Sequence, residues 1–172
     1  MNHGLDTDEH IYFYEPEFYA LGNFSAFAIW CTADGLDRRF DTSEALYHWH
    51  KFPDHEGLRA AVLTANSAHD SFKIAENAVL HRRADWDIVK VGVMREILRI
   101  KVNQHEYVHR KLLATGKRNL IENSWRDTFW GEGPWRDGQN MLGKLWMEIR
   151  EELHNNPRSW TKPRTLPRVP LQ

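Results

Sequence analysis

The sequence contains a single cysteine, Cys31, in 172 residues. One thiol excludes an internal disulfide and a zinc site built from several thiolates, and it suits a reducing cytosol. No stretch approaches the roughly 18 apolar residues that a membrane-spanning helix needs, and residues 1–10 carry no apolar run typical of a signal peptide. These absences predict a cytoplasmic protein with no membrane partner.

The chain also lacks a large charge of either sign. Lys and Arg number 23 and Asp and Glu number 24, which gives a formal net charge of -1. Extensive binding to a nucleic-acid duplex is therefore not expected, because such binding depends on a strongly basic surface. A small nucleotide-like substrate, or one modified base on an end or single strand, fits this charge better. The eight tryptophans suit a site that stacks on flat rings.

The hydrophobic pattern predicts one mostly helical α+β domain with a few short strands, over residues 1–156. The strands are expected at 11–14 and 26–31, and the helices at about 42–52, 56–65, 68–80, 85–100, 104–114 and 142–153. Apolar residues surround the helix that begins at Asp85 almost completely, which predicts a buried helix. The tail at 157–172 is rich in proline and basic residues, so we expect it to be extended and dispensable for chemistry.

Residues 105–109 match H-E-x-x-H, the two-histidine zinc motif of metalloproteases. A third ligand is required, and Leu112 and Leu113 stand where a metzincin would continue with glycine and histidine. Such a short pattern also arises easily by chance in a chain with ten histidines. We therefore expect no metal site, and a semi-buried His105 on a polar helix is the preferred interpretation.

Residues 138–144 spell G-x-x-x-x-G-K, the pattern of a phosphate-binding P-loop. The next residue, Leu145, lacks the hydroxyl that would hold magnesium, and no hydrophobic strand precedes the loop. What remains is a glycine-rich loop that leads into a helix, with Asn140 as its cap. Free amides at a helix N-terminus can bind an anion, although glycines that only form tight turns would give the same pattern.

Glu44, His48 and Lys51 lie at positions i, i+4 and i+7 of the helix predicted at 42–52, so they share one face, with Tyr47 beside them. A rise of 1.5 Å per residue separates Glu44 from Lys51 by about 10.5 Å along the axis, too far for an i,i+4 ion pair. The two side chains could address opposite ends of a sugar-sized ligand. An ordinary solvated Glu/Lys face gives the same spacing and is the commoner case.

Several segments, weak singly, form a consistent series from about Ile11 to Leu153. In order they are Leu21-Gly22-Asn23-Phe24-Ser25, Thr42 to Phe52, Arg83-Ala84-Asp85-Trp86, Leu112 to Gly116, Glu122-Asn123-Ser124, Asp127 to Gly133, and Gly138 to Arg150. Their order and spacing resemble those of the NADAR (YbiA-like) family. The resemblance implies that family's fold and an N-glycosidase activity at ribose C1, with no cofactor.

The resemblance also implies which residues carry the reaction. It assigns catalytic roles to Lys51, Glu44 and Asp127, and places Trp86 and Trp130 in the site. Including neighbouring motif positions, the expected substrate contacts are Asn23, Phe24, His48, Trp86, Trp130, Gly131, Asn140 and Gly143.

These residue types suit the chemistry of an N-glycosidase. A carboxylate stabilises the oxocarbenium-like state, and an acid protonates the leaving nitrogen. A lysine whose pKa is lowered by burial can instead attack C1 and form an imine with the opened ribose. Trp86 or Trp130 could hold the flat base, and the helix N-terminus near Asn140 and Gly143 could bind phosphate.

Known activities in the family include release of ADP-ribose from guanine and cleavage of phosphoribosyl-pyrimidine intermediates of riboflavin synthesis. We expect ADP-ribosyl-guanine or a related ADP-ribosyl adduct as substrate, free or on a nucleic-acid base, with the riboflavin intermediates as the alternative. Two other hypotheses are a module that binds ADP-ribose without turnover and a zinc hydrolase that uses His105 and His109.

The chain departs from the family at a few positions that bear on substrate choice. His48 and His50 stand where relatives often carry glutamine, and Gly22 replaces a usual serine. The pair Ala75-Glu76 occupies the place of an expected glycine-arginine pair. A phosphate or base contact of the family is changed there, so these departures bear on the choice of substrate more than on the reaction.

Overall fold

The computed structural model describes residues 5–13 and 17–156, and the predicted tail at 157–172 lies outside them. Within the described residues the elements are, in order, β1 His10–Tyr12, β2 Ile29–Ala33, β3 Leu36–Phe40, α1 Ser43–Trp49, α2 Glu56–Leu63, α3 Ala68–Asn77, α4 Trp86–Gln104, α5 Glu106–Ala114, β4 Asn119–Ile121 and α6 Met141–Asn155. Short 3-10 helices occupy Tyr19–Leu21 and Val79–His81. The predicted fold class, α+β and mostly helical, is confirmed. No helix in the described ranges is long and apolar enough to cross a membrane.

The chain folds as two compact units. The central unit is Ala26–Gln104, and the terminal unit combines the described residues up to Ser25 with those from His105 onward. In the central unit β2 and β3 form an antiparallel hairpin, and α1 packs against α2, α3 and α4. In the terminal unit β1 pairs in parallel with β4, and α6 packs against β4.

The helix α1 lies at the centre of the hydrophobic core of the central unit. The hydroxyl oxygen of Thr42 accepts a 3.2 Å hydrogen bond from the amide of Ala45, so Thr42 is the N-cap of α1. Every residue from Ser43 to Trp49 is buried, because α2, α3 and α4 pack around this helix. The α-helix ends at Trp49 rather than Phe52, but the amide of Lys51 still bonds to the carbonyl of His48, so the chain continues in a tight turn.

The prediction that α4 is buried all round is wrong for its first half. Ile88 is 84% exposed, whereas Met94, Ile97 and Leu98 are fully buried. Ile88 therefore lies on the surface, and apart from Trp86 the buried residues of α4 begin at Met94.

Two strands were not predicted. The strand β3 reads Leu-Asp-Arg-Arg-Phe, and its mostly exposed residues lack the alternation that marks a half-buried strand. The strand β4 has only three residues, and its partner β1 lies more than a hundred positions earlier in the chain. The predicted strands are present but displaced, at His10–Tyr12 and Ile29–Ala33.

Candidate functional site

The side chain of Lys51 lies in an aromatic pocket of the central unit. Its Nζ atom is 5.3 Å from the centre of the Tyr47 ring and 5.8 Å from that of the Trp86 ring. The two rings pack together with centroids 4.9 Å apart. Lys51 is buried, so its ammonium group is largely removed from water while it lies over two π faces.

Glu44 and His48 form a buried pair on the same helix. The Oε1 atom of Glu44 is 2.7 Å from Nε2 of His48, and both side chains are buried. The other ring nitrogen of His48, Nδ1, is buried without a hydrogen-bond partner in the described structure. Glu44, Tyr47, His48, Lys51 and Trp86 are hereafter called the Lys51 cluster. This geometry supports the predicted shared face of Glu44, His48 and Lys51.

Burial lowers the pKa of Lys51 below the ordinary lysine value. The negative charges of Glu76 and Glu44 act in the opposite direction, and the charge of Arg82 adds to the lowering. Since burial is the largest of these effects, the free amine is more accessible near neutral pH than in an exposed lysine. A lysine in this state can serve as a nucleophile.

The helix α3 contributes two side chains beside the Lys51 cluster that were not predicted as site residues. The Oε1 atom of Glu76 is 3.8 Å from Nζ of Lys51. The ring of Phe72 meets the ring of His48 edge to face, with centroids 5.9 Å apart. A spacing of i, i+4 places Phe72 and Glu76 on one face of α3, and both are exposed. The packing of α3 against α1 is a tertiary contact that the sequence does not show. The only signal in the sequence was Glu76, at a position where the family is expected to have arginine.

The predicted role of Trp86 as a platform for the base is not supported. Trp86 is only 2% exposed, so it offers no open face on which a base could stack. Its indole instead forms a wall of the Lys51 pocket and contributes to the burial of the amine. His50 is buried too, and burial, with the charges of Arg59 and Arg83, lowers its pKa to about 4, so it is neutral at neutral pH.

The predicted site residue Asp127 organises a loop of the terminal unit. Its Oδ1 atom accepts hydrogen bonds from the amides of Phe129 and Trp130, at 2.8 Å and 2.7 Å. Its own amide donates to the hydroxyl of Ser124. Asp127 therefore fixes the position of Trp130, whose half-buried indole meets the Phe129 ring edge to face.

The expectation of an anion site at the start of α6 is corrected by the structure. The amides of Asn140, Met141 and Leu142 donate to the carbonyls of Gly131, Phe129 and Trp130, at 3.0 Å each. These donors are therefore not available to a phosphate. The segment 129–131 folds against the start of α6, and its carbonyls satisfy these three amides from within the chain.

Asn140 is not the side-chain cap that was predicted. Its backbone adopts a left-handed conformation and its side chain makes no capping bond. The side chain instead reaches β4, where Oδ1 accepts from the amide of Glu122 and Nδ2 donates to the carbonyl of Leu120. Gly143 faces the same strand, and a Cβ there would overlap the Leu120 carbonyl oxygen. Both residues therefore have clear structural roles in joining α6 to β4.

The remaining predicted contacts also lie in the terminal unit. Asn23 is buried, Phe24 is exposed, and the turn that carries them is closed by a 2.7 Å bond from the Ser25 hydroxyl to the Gly22 carbonyl. Gly131 is buried, and a Cβ atom at this position would lie 2.7 Å from the Cβ of Ser124, so there is no room for a side chain. An open cleft of about 380 Å³ elsewhere in this unit contains none of the predicted site residues, since its walls are Asp8, Glu9, Lys117, Arg118 and Asn119.

The two histidines of the zinc-like motif do not share a helix. His105 is the residue before α5, and His109 lies within it. Among the residues that the structure describes, no group of three or more His, Cys, Asp or Glu side chains could hold a metal ion.

Comparison with known proteins gives one consistent result. The NADAR domain model matches residues 12–154, so a single family domain accounts for both units. The chain is 37% identical to N-glycosidase YbiA of Escherichia coli over 133 residues, which cover 77% of this chain and 81% of that protein. The NMR structure of E. coli YbiA superposes with a TM-score of 0.77, at 31% identity and 94% coverage of both chains.

A second relative carries a different name. The chain is 38% identical over 151 residues to a riboflavin biosynthesis protein of Vibrio vulnificus. The match covers 87% of this chain but only 40% of that protein. The chain thus corresponds to one part of the longer Vibrio protein and to most of YbiA.

Proposed function

Because the chain belongs to the NADAR family and is an N-glycosidase of that family, we propose that its Lys51 cluster breaks the bond between ribose C1 and a base nitrogen in a phosphorylated ribosyl substrate. The observation that carries this proposal is the buried amine of Lys51, enclosed by Tyr47 and Trp86 and close to two carboxylates. Such an amine is nucleophilic and partly shielded from water.

The reaction proceeds through a covalent intermediate. The lone pair of Lys51 Nζ forms a bond to ribose C1 as the bond from C1 to the base nitrogen breaks, and the base leaves with a proton supplied from the Glu44–His48 pair. The bond from C1 to the ring oxygen then breaks, the ring oxygen takes up a proton released from Nζ, and the C1–Nζ bond becomes an imine. Water adds to the imine carbon and returns a proton to the Glu44–His48 pair, and the products are the free sugar phosphate and the lysine amine.

The carboxylate of Glu44 has a second role in this scheme. Positive charge develops on C1 and the ring oxygen as the base departs, and a nearby carboxylate stabilises that charge. His48 holds Glu44 in place through its 2.7 Å contact. The catalytic role expected for Asp127 stays a prediction, and in the structure its carboxylate orients the loop that carries Trp130.

Two substrate classes are proposed for this site. The first is ADP-ribosyl-guanine or a related ADP-ribosyl adduct, which suits a chain without a strongly basic surface. The second is a phosphoribosyl-pyrimidine intermediate of riboflavin synthesis, and the name of the Vibrio relative favours it. Both contain a ribose whose C1 is bonded to a base nitrogen.

The test is incubation of the purified chain with both substrate classes and chromatographic detection of the released base. We expect release from at least one class, and unchanged release in the presence of a chelator. Cleavage of neither class would overturn the proposed function, and loss of activity on chelation would overturn the metal-free scheme.

A further inference from the structure

We propose that Phe72 and Glu76, which together form the α3 edge, are the subsite for the leaving base. Phe72 contacts the face of the base, and the carboxylate of Glu76 accepts hydrogen bonds from N–H groups on its edge. This inference rests on the proposed function, and it names the part of the site that distinguishes one base from another.

The position of the α3 edge relative to the Lys51 cluster is the first argument. Phe72 touches His48 and Glu76 lies 3.8 Å from Lys51 Nζ, so one face of α3 runs alongside the reactive groups. A base attached to a ribose at Lys51 must lie within a few ångströms of that amine. Ser71 and Ala75, the neighbours on α3, are buried and anchor the helix in the core.

The exposure of these side chains is the second argument. Trp86 and Tyr47 are buried and cannot receive a base, whereas Phe72 is 37% exposed and the Glu76 side chain is 56% exposed. The ring of His69 lies nearly parallel to that of Phe72, with an angle of 11° between the planes. Stacking on a flat base requires an accessible aromatic ring, and Phe72 provides one beside His48 of the Lys51 cluster.

The chemistry of Glu76 is the third argument. An ionised carboxylate only accepts hydrogen bonds, so it selects a base edge that carries donors. Guanine presents an exocyclic amino group beside a ring N–H, and an aminopyrimidinone presents the same arrangement. A carboxylate can accept from both donors at once, which makes the bond strong and directional.

Binding of such a base would also act on the nucleophile. The negative charge of Glu76, whose Oε1 atom is 3.8 Å from Nζ, raises the pKa of Lys51. A base that donates hydrogen bonds to the Glu76 carboxylate weakens this attraction, and the pKa of Lys51 falls further. The amine is then freed when the correct base is in place.

The experiment is calorimetric titration of the full chain with guanosine 5′-monophosphate and with inosine 5′-monophosphate, which differ only in the amino group of the base. We expect the wild type to bind the guanosine nucleotide about tenfold more tightly, the order of a hydrogen bond to a charged group. Glu76→Gln should lose most of this preference. Phe72→Ala should weaken the binding of both nucleotides by the same factor. The control Glu56→Gln, at an exposed glutamate on α2, should bind both nucleotides as tightly as the wild type.

Two results would overturn the inference: a wild type that binds the two nucleotides equally or not at all, and a Glu76→Gln variant that keeps the preference. These results differ from a failure of the proposed function. A wild type that prefers the guanosine nucleotide yet cleaves no substrate of either class refutes the proposed reaction and leaves the α3 edge as a base-binding site.

Discussion

At the scale of single residues, the surroundings of Lys51 decide its chemistry. An exposed lysine is a hydrated cation at neutral pH, and its amine is almost entirely protonated. The amine of Lys51 lies against two aromatic rings and has little contact with water. The same burial that lowers its pKa also costs stability, and groups with pKa values shifted in this way are concentrated at functional sites.

The first prediction concerns this amine. Sodium borohydride added during turnover should reduce the imine and attach the sugar to Lys51, which peptide mass spectrometry would locate. Lys51→Arg should keep the charge but lose nearly all turnover, since a guanidinium is never a free nucleophile. Lys90→Arg, at a lysine that pairs with Asp87 on α4, is the matched control and should retain activity. Substantial turnover by Lys51→Arg would remove the covalent step and leave Glu44 to support direct attack by water.

Single residues could be predicted where their positions follow from the spacing of a helix. The i, i+4, i+7 pattern of Glu44, His48 and Lys51 placed them on one face, and the structure brings them together. The burial of Trp86 was not predictable, because a tryptophan at a helix start can be a core residue or a ligand platform. Phe72 was missed because its proximity to His48 depends on how α3 packs on α1.

At the scale of elements, the junction of α6 with β4 explains the glycine-rich loop. The loop carbonyls of residues 129–131 accept from the first amides of α6, and the Asn140 side chain bonds to β4 on both sides. Gly143 lets the helix approach the strand, because any side chain at this position would meet the Leu120 carbonyl. The loop therefore holds α6 against β4 and does not form a phosphate-binding site, and this junction is hereafter called the clamp.

The second prediction follows from this close approach. Gly143→Ala should lower the free energy of unfolding by about 1–3 kcal/mol, the usual cost of overfilling a packed contact. Gly92→Ala is the matched control, since Gly92 lies within α4 with open space around it. There alanine should stabilise the helix by up to about 1 kcal/mol. Urea denaturation would measure both, and a Gly143→Ala variant as stable as the wild type would contradict the clamp.

Elements were predictable where local signals define them. The predicted bounds of α1, α3 and α6 lie within a few residues of the observed ones. The strand β4 was not predictable, because three residues have no periodicity and their partner is remote in the sequence. The anion site was wrongly expected at α6 because a sequence does not show whether helix amides already have partners.

At the scale of the whole molecule, a few buried ionisable groups set how stability depends on pH. Lys101 in α4 has no exposed surface, and burial lowers its pKa to about 7. Burial raises the pKa of Cys31 to about 11, although the charge of Arg38 lowers it slightly, and the charge of Asp37 adds to the rise. Each group binds a different number of protons in the folded and unfolded states, so each changes stability over the pH range between its two pKa values.

The third prediction is that the free energy of unfolding rises between pH 7 and pH 9. In this range the unfolded chain keeps Lys101 protonated while the folded chain has released the proton, so raising the pH favours the folded state. The lowered pKa of Lys51 acts in the same direction, and Cys31 opposes both only above about pH 9, where its unfolded thiol ionises. Two pH units correspond to about 2–3 kcal/mol for one such group. Urea denaturation of the wild type at several pH values between 7 and 9 should show this rise in the free energy of unfolding. The Lys101→Met variant should lose most of the rise, and the control Lys144→Met, at an exposed lysine, should retain it. A wild-type curve that is flat or falls from pH 7 to pH 9 would show that Lys101 does not release its proton on folding.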